Sequence, residues 1–277
     1  MGYRDIIVQL DGSSASEGRA RVAAEVARRW GCTLTGVFLK SDFVENYFVG
    51  EGLAYLPKRE IEAMIGEHAS SLANHAERAF GHLRAAAGAC SVAAEFEILD
   101  GDRDEPLVAL ARRTDLTVFP TCARACLGRH EISAADLSMA SGAPVLVLPQ
   151  KGYPTQIGRR VLVAWNGSRE AARALRDAWP FLEGAEAVRV VVASGAGDGP
   201  DTGLEHHLCR HGVSADIVQE RAEDHGVSRI LHRHAAEMGA DLVVMGIYGH
   251  ARLQEMVMGG VSQDMLHDPP APLLVAH

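Results

Sequence analysis

The chain is poor in aromatic residues, poor in cysteine and short of positive charge, and it has no long apolar run. Phe, Trp and Tyr together make up only 5% of its 277 residues. The five cysteines are scattered and odd in number, so no disulfide framework is read, which agrees with a reducing compartment. Lys and Arg total 27 against 36 Asp and Glu, a formal net charge of -9. That balance argues against a general DNA or RNA binder, which needs a concentrated basic face. It leaves room for one small anion held by backbone N–H groups. No stretch of about 18 apolar residues occurs, so no membrane-spanning helix is expected. The residues from Met1 to Asp5 carry no basic segment followed by an apolar core. No signal peptide is read there, and a cytoplasmic location is expected. The phosphate loop Gly-x4-Gly-Lys-[Ser/Thr] is absent. No nucleophile, base and orienting group stand out as a set, so no catalytic residue is assigned.

What is present is a repeat. The run Ile6-Ile7-Val8-Gln9-Leu10-Asp11-Gly12-Ser13 is echoed by Val161-Leu162-Val163-Ala164-Trp165-Asn166-Gly167-Ser168. Each is a strand-length apolar run, then Asp or Asn with Gly-Ser, then an Ala-rich helical pattern. Thr114-Asp115-Leu116 is echoed by Ala240-Asp241-Leu242, and Ala143-Pro144-Val145 by Ala271-Pro272-Leu273. Three echoes in the same order indicate tandem duplication. Residues 1–149 and 158–277 are the expected domains, joined by a linker rich in Pro and Gly.

Strands are expected at 5–10, 33–39, 94–99, 116–119 and 145–148, then at 160–165, 187–193, 215–219, 242–246 and 273–276. The runs are apolar throughout rather than alternating, which marks strands covered on both faces. Alternation with helices then gives an α/β fold: two doubly wound, mainly parallel five-stranded sheets. Such sheets bind ligands beyond the carboxyl ends of their strands. The first half adds a long helix over 58–87 that the second lacks. The closing strands 145–148 and 273–276 read as edges that pair across the interface between the two domains, and a homodimer is a further expectation.

The segment after strand 242–246 holds Gly246, Gly249, Gly259, Gly260, Val261 and Ser262. Glycines there let the chain turn sharply and bring N–H groups toward a phosphate. A second reading, two structural turns joined by a short helix, fits the same spacing. The spacing Gly-x2-Gly-x9-Gly, the following Val-Ser and the closing strand resemble the nucleotide signature of the universal stress protein family. The resemblance covers both halves, as in a tandem member. It implies ATP bound in the second half, by Ala164, Trp165, Asn166, Val192, Met245, Gly246, Gly249, His250, Gly259, Gly260, Val261 and Ser262. A role as a stress-response regulator or sensor follows. Two positions depart from the pattern: Gly260 replaces a Ser or Thr, and Asn166 replaces an Asp.

In the first half Asp11, Gly12 and Ser13 are kept, but Pro120 and Ala123 replace the glycines. Glu131 lies near the phosphate end, where it would repel a polyanion, so this half is expected not to bind ATP. His207 and His211, four apart, are read as solvated surface, and no metal is expected. Cys122 and Cys126 are read as two buried small residues, with a thiol switch as the alternative. Two other functions stay open at this point. One is a dimerising scaffold of the same fold without nucleotide; the other is a weak ATPase.

Overall fold

The computed structural model describes residues 2–42, 57–128, 130–149, 152, 154–194, 202–221, 226–247 and 260–277. By contacts the chain divides into two units, Arg4–Leu137 and Met1–Tyr3 with Ser138–His277.

In the unit Arg4–Leu137 the main sheet holds β1 (Asp5–Leu10), β2 (Thr33–Lys40), β3 (Ala94–Asp100) and β4 (Leu116–Pro120). The four are parallel, in the order β4-β1-β2-β3. Their interior is built from residues such as Ile6, Ile7, Leu34 and Val118, each at most 1% exposed. Helix α1 (Ser14–Trp30) starts at Ser13, whose side chain accepts from the Ser16 N–H, and stops at Gly31 with φ 66°. Helix α2 (Lys58–Cys90) is the long expected helix and packs on α1, β2 and β3. Helix α3 (Glu105–Ala111) precedes β4. After β4 comes a small antiparallel hairpin, β5 (Cys122–Arg124) with β6 (Glu131–Ser133). Helix α4 (Ala134–Ser141) follows.

In the second unit the sheet order is β7-β12-β11-β8-β9-β10. The strands are β7 (Val145–Leu148), β8 (Arg160–Trp165), β9 (Ala187–Ser194), β10 (Ala215–Arg221), β11 (Leu242–Gly246) and β12 (Leu273–Ala276). All pairs are parallel except β7 with β12, where Val145 faces Val275 and Val147 faces Leu273. This antiparallel pairing groups β7 with the later residues, although in sequence it closes the first repeat. Helices α5 (Arg169–Asp177), α6 (Trp179–Leu182), α7 (Thr202–Arg210), α8 (Val227–Met238) and α9 (Val261–His267) complete the unit. Helix α5 packs on β8, β11 and β12, and α8 on β8 and β9. The fold is thus α/β with mainly parallel sheets covered by helices.

The sequence echoes have matching hydrogen bonds. The Asp11 side chain accepts from the Ser13 N–H at 2.9 Å, and the Asn166 side chain from the Ser168 N–H at 3.1 Å. Gly12 and Gly167 follow with φ of 73° and 71°. Asp115 accepts from the N–H groups of Arg4 and Asp5, and Asp241 from those of Gly158, Arg159 and Arg160. Each aspartate anchors the chain entering its repeat's first strand. Among the described residues no helix is long and apolar enough to cross a membrane.

Candidate functional site

Register places the expected residues of the second half along one end of its sheet. Trp165, the last residue of β8, is opposite Val192 of β9, and Val163 is opposite Val244 of β11. Ala164 and Trp165 on β8 therefore neighbour Val192 on one side and Met245 with Gly246 on the other. Ala164 and Trp165 are half-buried, Val192 and Met245 are buried, and Asn166 is exposed. Gly260 is the N-cap of α9 with φ -62°, followed by Val261 and the buried Ser262. Gly249, His250 and Gly259 lie outside the described residues.

Gly246 has a packing reason to be glycine. A Cβ there would sit 2.3 Å from the Glu170 carbonyl carbon and 2.4 Å from the Ala171 nitrogen. The strand end touches the first turn of α5 backbone to backbone. Two neighbours were not legible in the repeat. Glu170 is 7% exposed, and Arg169 donates to its Oε1 at 3.1 Å. Burial opposes ionisation of Glu170, but a backbone hydrogen bond, Arg169 and the nearby His277 outweigh it and hold the carboxyl below its ordinary value. His277 Nδ1 donates to the Ile247 carbonyl at 3.0 Å, beside the end of β11. In the first repeat Ala15 stands at the position of Glu170, so the echo carried no signal for it.

The first half has filled the equivalent space. Arg19 is 5% exposed. Its guanidinium donates to the Gln9 carbonyl and side-chain oxygens at 3.0 and 2.9 Å, and to Asp11 Oδ2 at 3.0 Å. Burial raises the Asp11 pKa, but the Arg19 charge and the bonds from Ser13 and Arg19 hold it below 3.8. The counterparts of Gln9, Asp11 and Arg19 in the second half are Ala164, Asn166 and Ala174, which make no such network among the described residues. Helix α2 also covers the β1–α1 turn. His75 Nδ1 donates to the Asp11 carbonyl and Arg78 Nε to the Gly12 carbonyl, both at 3.3 Å. His68 reaches the Ser41 carbonyl and His82 the Ser16 hydroxyl, each at 3.2 Å. The three histidines, seven residues apart, lie on one stripe of α2. That spacing was the available sequence signal, and it was missed.

The β5–β6 hairpin lies over the ends of β2 and β3. The Cys126 N–H donates to the Leu39 carbonyl at 2.7 Å, and Gly128 abuts Ser41. Two sequence expectations need correction. Glu131 is ion-paired with Arg124 across the hairpin, so its charge is compensated there. Cys122 is exposed and Cys126 half-buried, because the hairpin turns the Cys122 side chain outward. Burial, with a smaller push from Asp11, raises the Cys126 thiol to about 11. Cys122 is also raised, first by burial. Neither is therefore predisposed to form a thiolate.

Residues 158–277 match the family model described as the universal stress protein family. A universal stress protein from Archaeoglobus fulgidus DSM 4304 is similar in structure, with a TM-score of 0.70 at 16% identity over 98% of this chain and 97% of that one. A functionally unknown protein from Pseudomonas aeruginosa PAO1 has a TM-score of 0.55 at 15% identity, over 99% and 92%. At these identities the structural likeness concerns the fold. No curated protein matches the chain at a significant level.

Proposed function

We propose, from the match of residues 158–277 to the universal stress protein family model, that this half binds an adenine nucleotide, ATP, while residues 1–149 do not. The two halves then form a tandem pair in which one site is kept and the other filled. The observation that carries the reading is the contrast between the paired β–α turns. Asp11 is locked to Arg19 beneath His75 and Arg78 of α2. Asn166, its counterpart, is exposed, and among the described residues Gly167 has no atom within 4 Å of where a Cβ would stand. Asn166 would hold the adenine side, since an amide both donates and accepts hydrogen bonds. Ala164, Trp165, Val192 and Met245 would border the base and ribose. Gly246, Gly249, His250, Gly259, Gly260, Val261 and Ser262 would take the phosphate side.

Native mass spectrometry of the purified chain, with calorimetric titration of ATP, tests the reading. The expected result is one nucleotide per chain. Replacing Gly259 by Val should abolish binding, because a β-branched side chain would take up phosphate space. Gly260→Ser should strengthen it about fivefold, the equivalent of roughly 1 kcal/mol from one charge-assisted hydrogen bond. The backbone φ of -62° at Gly260 accepts a serine without strain. Absence of binding by both wild type and Gly260→Ser would favour the scaffold function instead. A stress-sensing role and homodimer formation are part of the same proposal; sedimentation with and without ATP reads the latter.

A further inference from the structure

A feature of the second unit lies outside the nucleotide reading and does not depend on it. His207 and His211 stand at the carboxyl end of α7, four residues apart and both exposed. Residues at this spacing share one helix face. Their ring centroids are 4.8 Å apart. Trp179 packs edge-on against both, at 5.8 Å from His207 and 4.8 Å from His211. The indole thus braces two neighbouring imidazoles on a solvent-facing surface, which restricts the ring rotations that a chelate would otherwise have to freeze. The helix ends here: the N–H groups of His211 and Gly212 fold back to Leu208 and Cys209, and Gly212 turns away with φ 77°. A cation at a helix carboxyl end is favoured by the macrodipole.

We propose that His207 and His211 form a two-imidazole site for a divalent late transition-metal ion, with copper(II) bound most tightly. Imidazole suits copper, nickel and zinc, and copper(II) heads the affinity order for such ligands. Among the described residues no group of three or more His, Cys, Asp or Glu could hold a metal. The site is therefore a pair, with water in the remaining positions. Cys209 is not part of it. It lines a groove of about 310 Å³ on another face of α7, together with Val213 and Ile217. Imidazole ligates a metal ion in its neutral form, so protons compete with the metal for the site.

The test uses the full, untagged chain titrated with copper(II) chloride in a non-coordinating buffer, followed by tryptophan fluorescence and calorimetry. One saturable equivalent should quench Trp179, and a chelator should restore the signal. His207→Ala and His211→Ala should each weaken this step about tenfold or more, since even outer-shell changes at metal sites cost 10–100-fold. Both positions are exposed, and circular dichroism should show unchanged folding. His206→Ala, altering the adjacent exposed histidine, should leave the step intact. A wild type with no saturable step, a step that survives both alanine variants, or one abolished by His206→Ala would overturn the proposal.

Discussion

Gly12 and Gly167 offer an internally controlled perturbation. They occupy the same place in the two repeats and have nearly the same backbone, φ 73° and 71°. An alanine at either must adopt a left-handed conformation, which costs about 1–2 kcal/mol. At Gly167 nothing among the described residues lies within 4 Å of the new methyl, so that cost should be the whole effect. At Gly12 the methyl would stand 2.5 Å from the His75 carbonyl oxygen and 3.3 Å from Arg78 Cβ. Helix α2 would have to retreat, stretching the bonds from His75 to the Asp11 carbonyl and from Arg78 to the Gly12 carbonyl. Overpacking adds about 1–3 kcal/mol, and each lost hydrogen bond about 0.5–1.5 kcal/mol. Gly12→Ala should therefore cost about 3 kcal/mol or more, and Gly167→Ala about 1–2 kcal/mol. Urea denaturation of both variants, followed by far-UV circular dichroism, reads the difference. Equal costs would mean that α2 does not seal the first turn, and the physical argument for assigning nucleotide to the second half would fail with it.

Gly246→Ala should destabilise by about 1–3 kcal/mol or more, because the methyl meets α5 backbone rather than a movable side chain; a change under about 0.5 kcal/mol in urea denaturation would refute the close approach. Asp241→Ala leaves the N–H groups of Gly158, Arg159 and Arg160 without their carboxylate, and a loss of about 1–3 kcal/mol is expected. A wild-type melting curve would contradict that. Asp11 makes a pH prediction. Its pKa is lowered on folding, so its contribution is complete above 3.8 and is lost as pH falls through the folded-state value. Asp11→Asn should flatten this acid limb of the stability profile; an unchanged slope would show that another group carries it.

Much of the fold was legible because the buried strands are short apolar runs punctuated by Asp-Gly-Ser, Asn-Gly-Ser and Pro. The helix expected over 58–87 is present as Lys58–Cys90, and the parallel pairing follows from the apolar runs, but the order β4-β1-β2-β3 was not read from the sequence. The pairing of Val145–Val147 with Leu273–Val275 did not announce its grouping, since an apolar tetrapeptide carries no label for its partner. The β5–β6 hairpin was also hidden. It is two three-residue strands, too short for a periodic signal, and it depends on contacts to Leu39, Ser41 and Gly101. At the candidate site the glycines and Asn166 were visible as a motif. Glu170 was not, because a glutamate in a helix's first turn reads as an ordinary response to the dipole. The filling of the first half depends on Arg19 of α1 reaching back ten residues to Gln9 and eight to Asp11 just past the end of β1, which only tertiary structure brings together.

The most direct measurement of the central claim is photolabelling of the intact chain with an azido-adenine analogue of ATP, followed by peptide mapping and competition with unlabelled ATP. The account predicts competed label on peptides from residues 158–277, around Trp165 to Ser168 or Gly246 to Ser262, and none on residues 1–149. Competed label beside Asp11, His75 or Cys126, or no competed label anywhere, would contradict it.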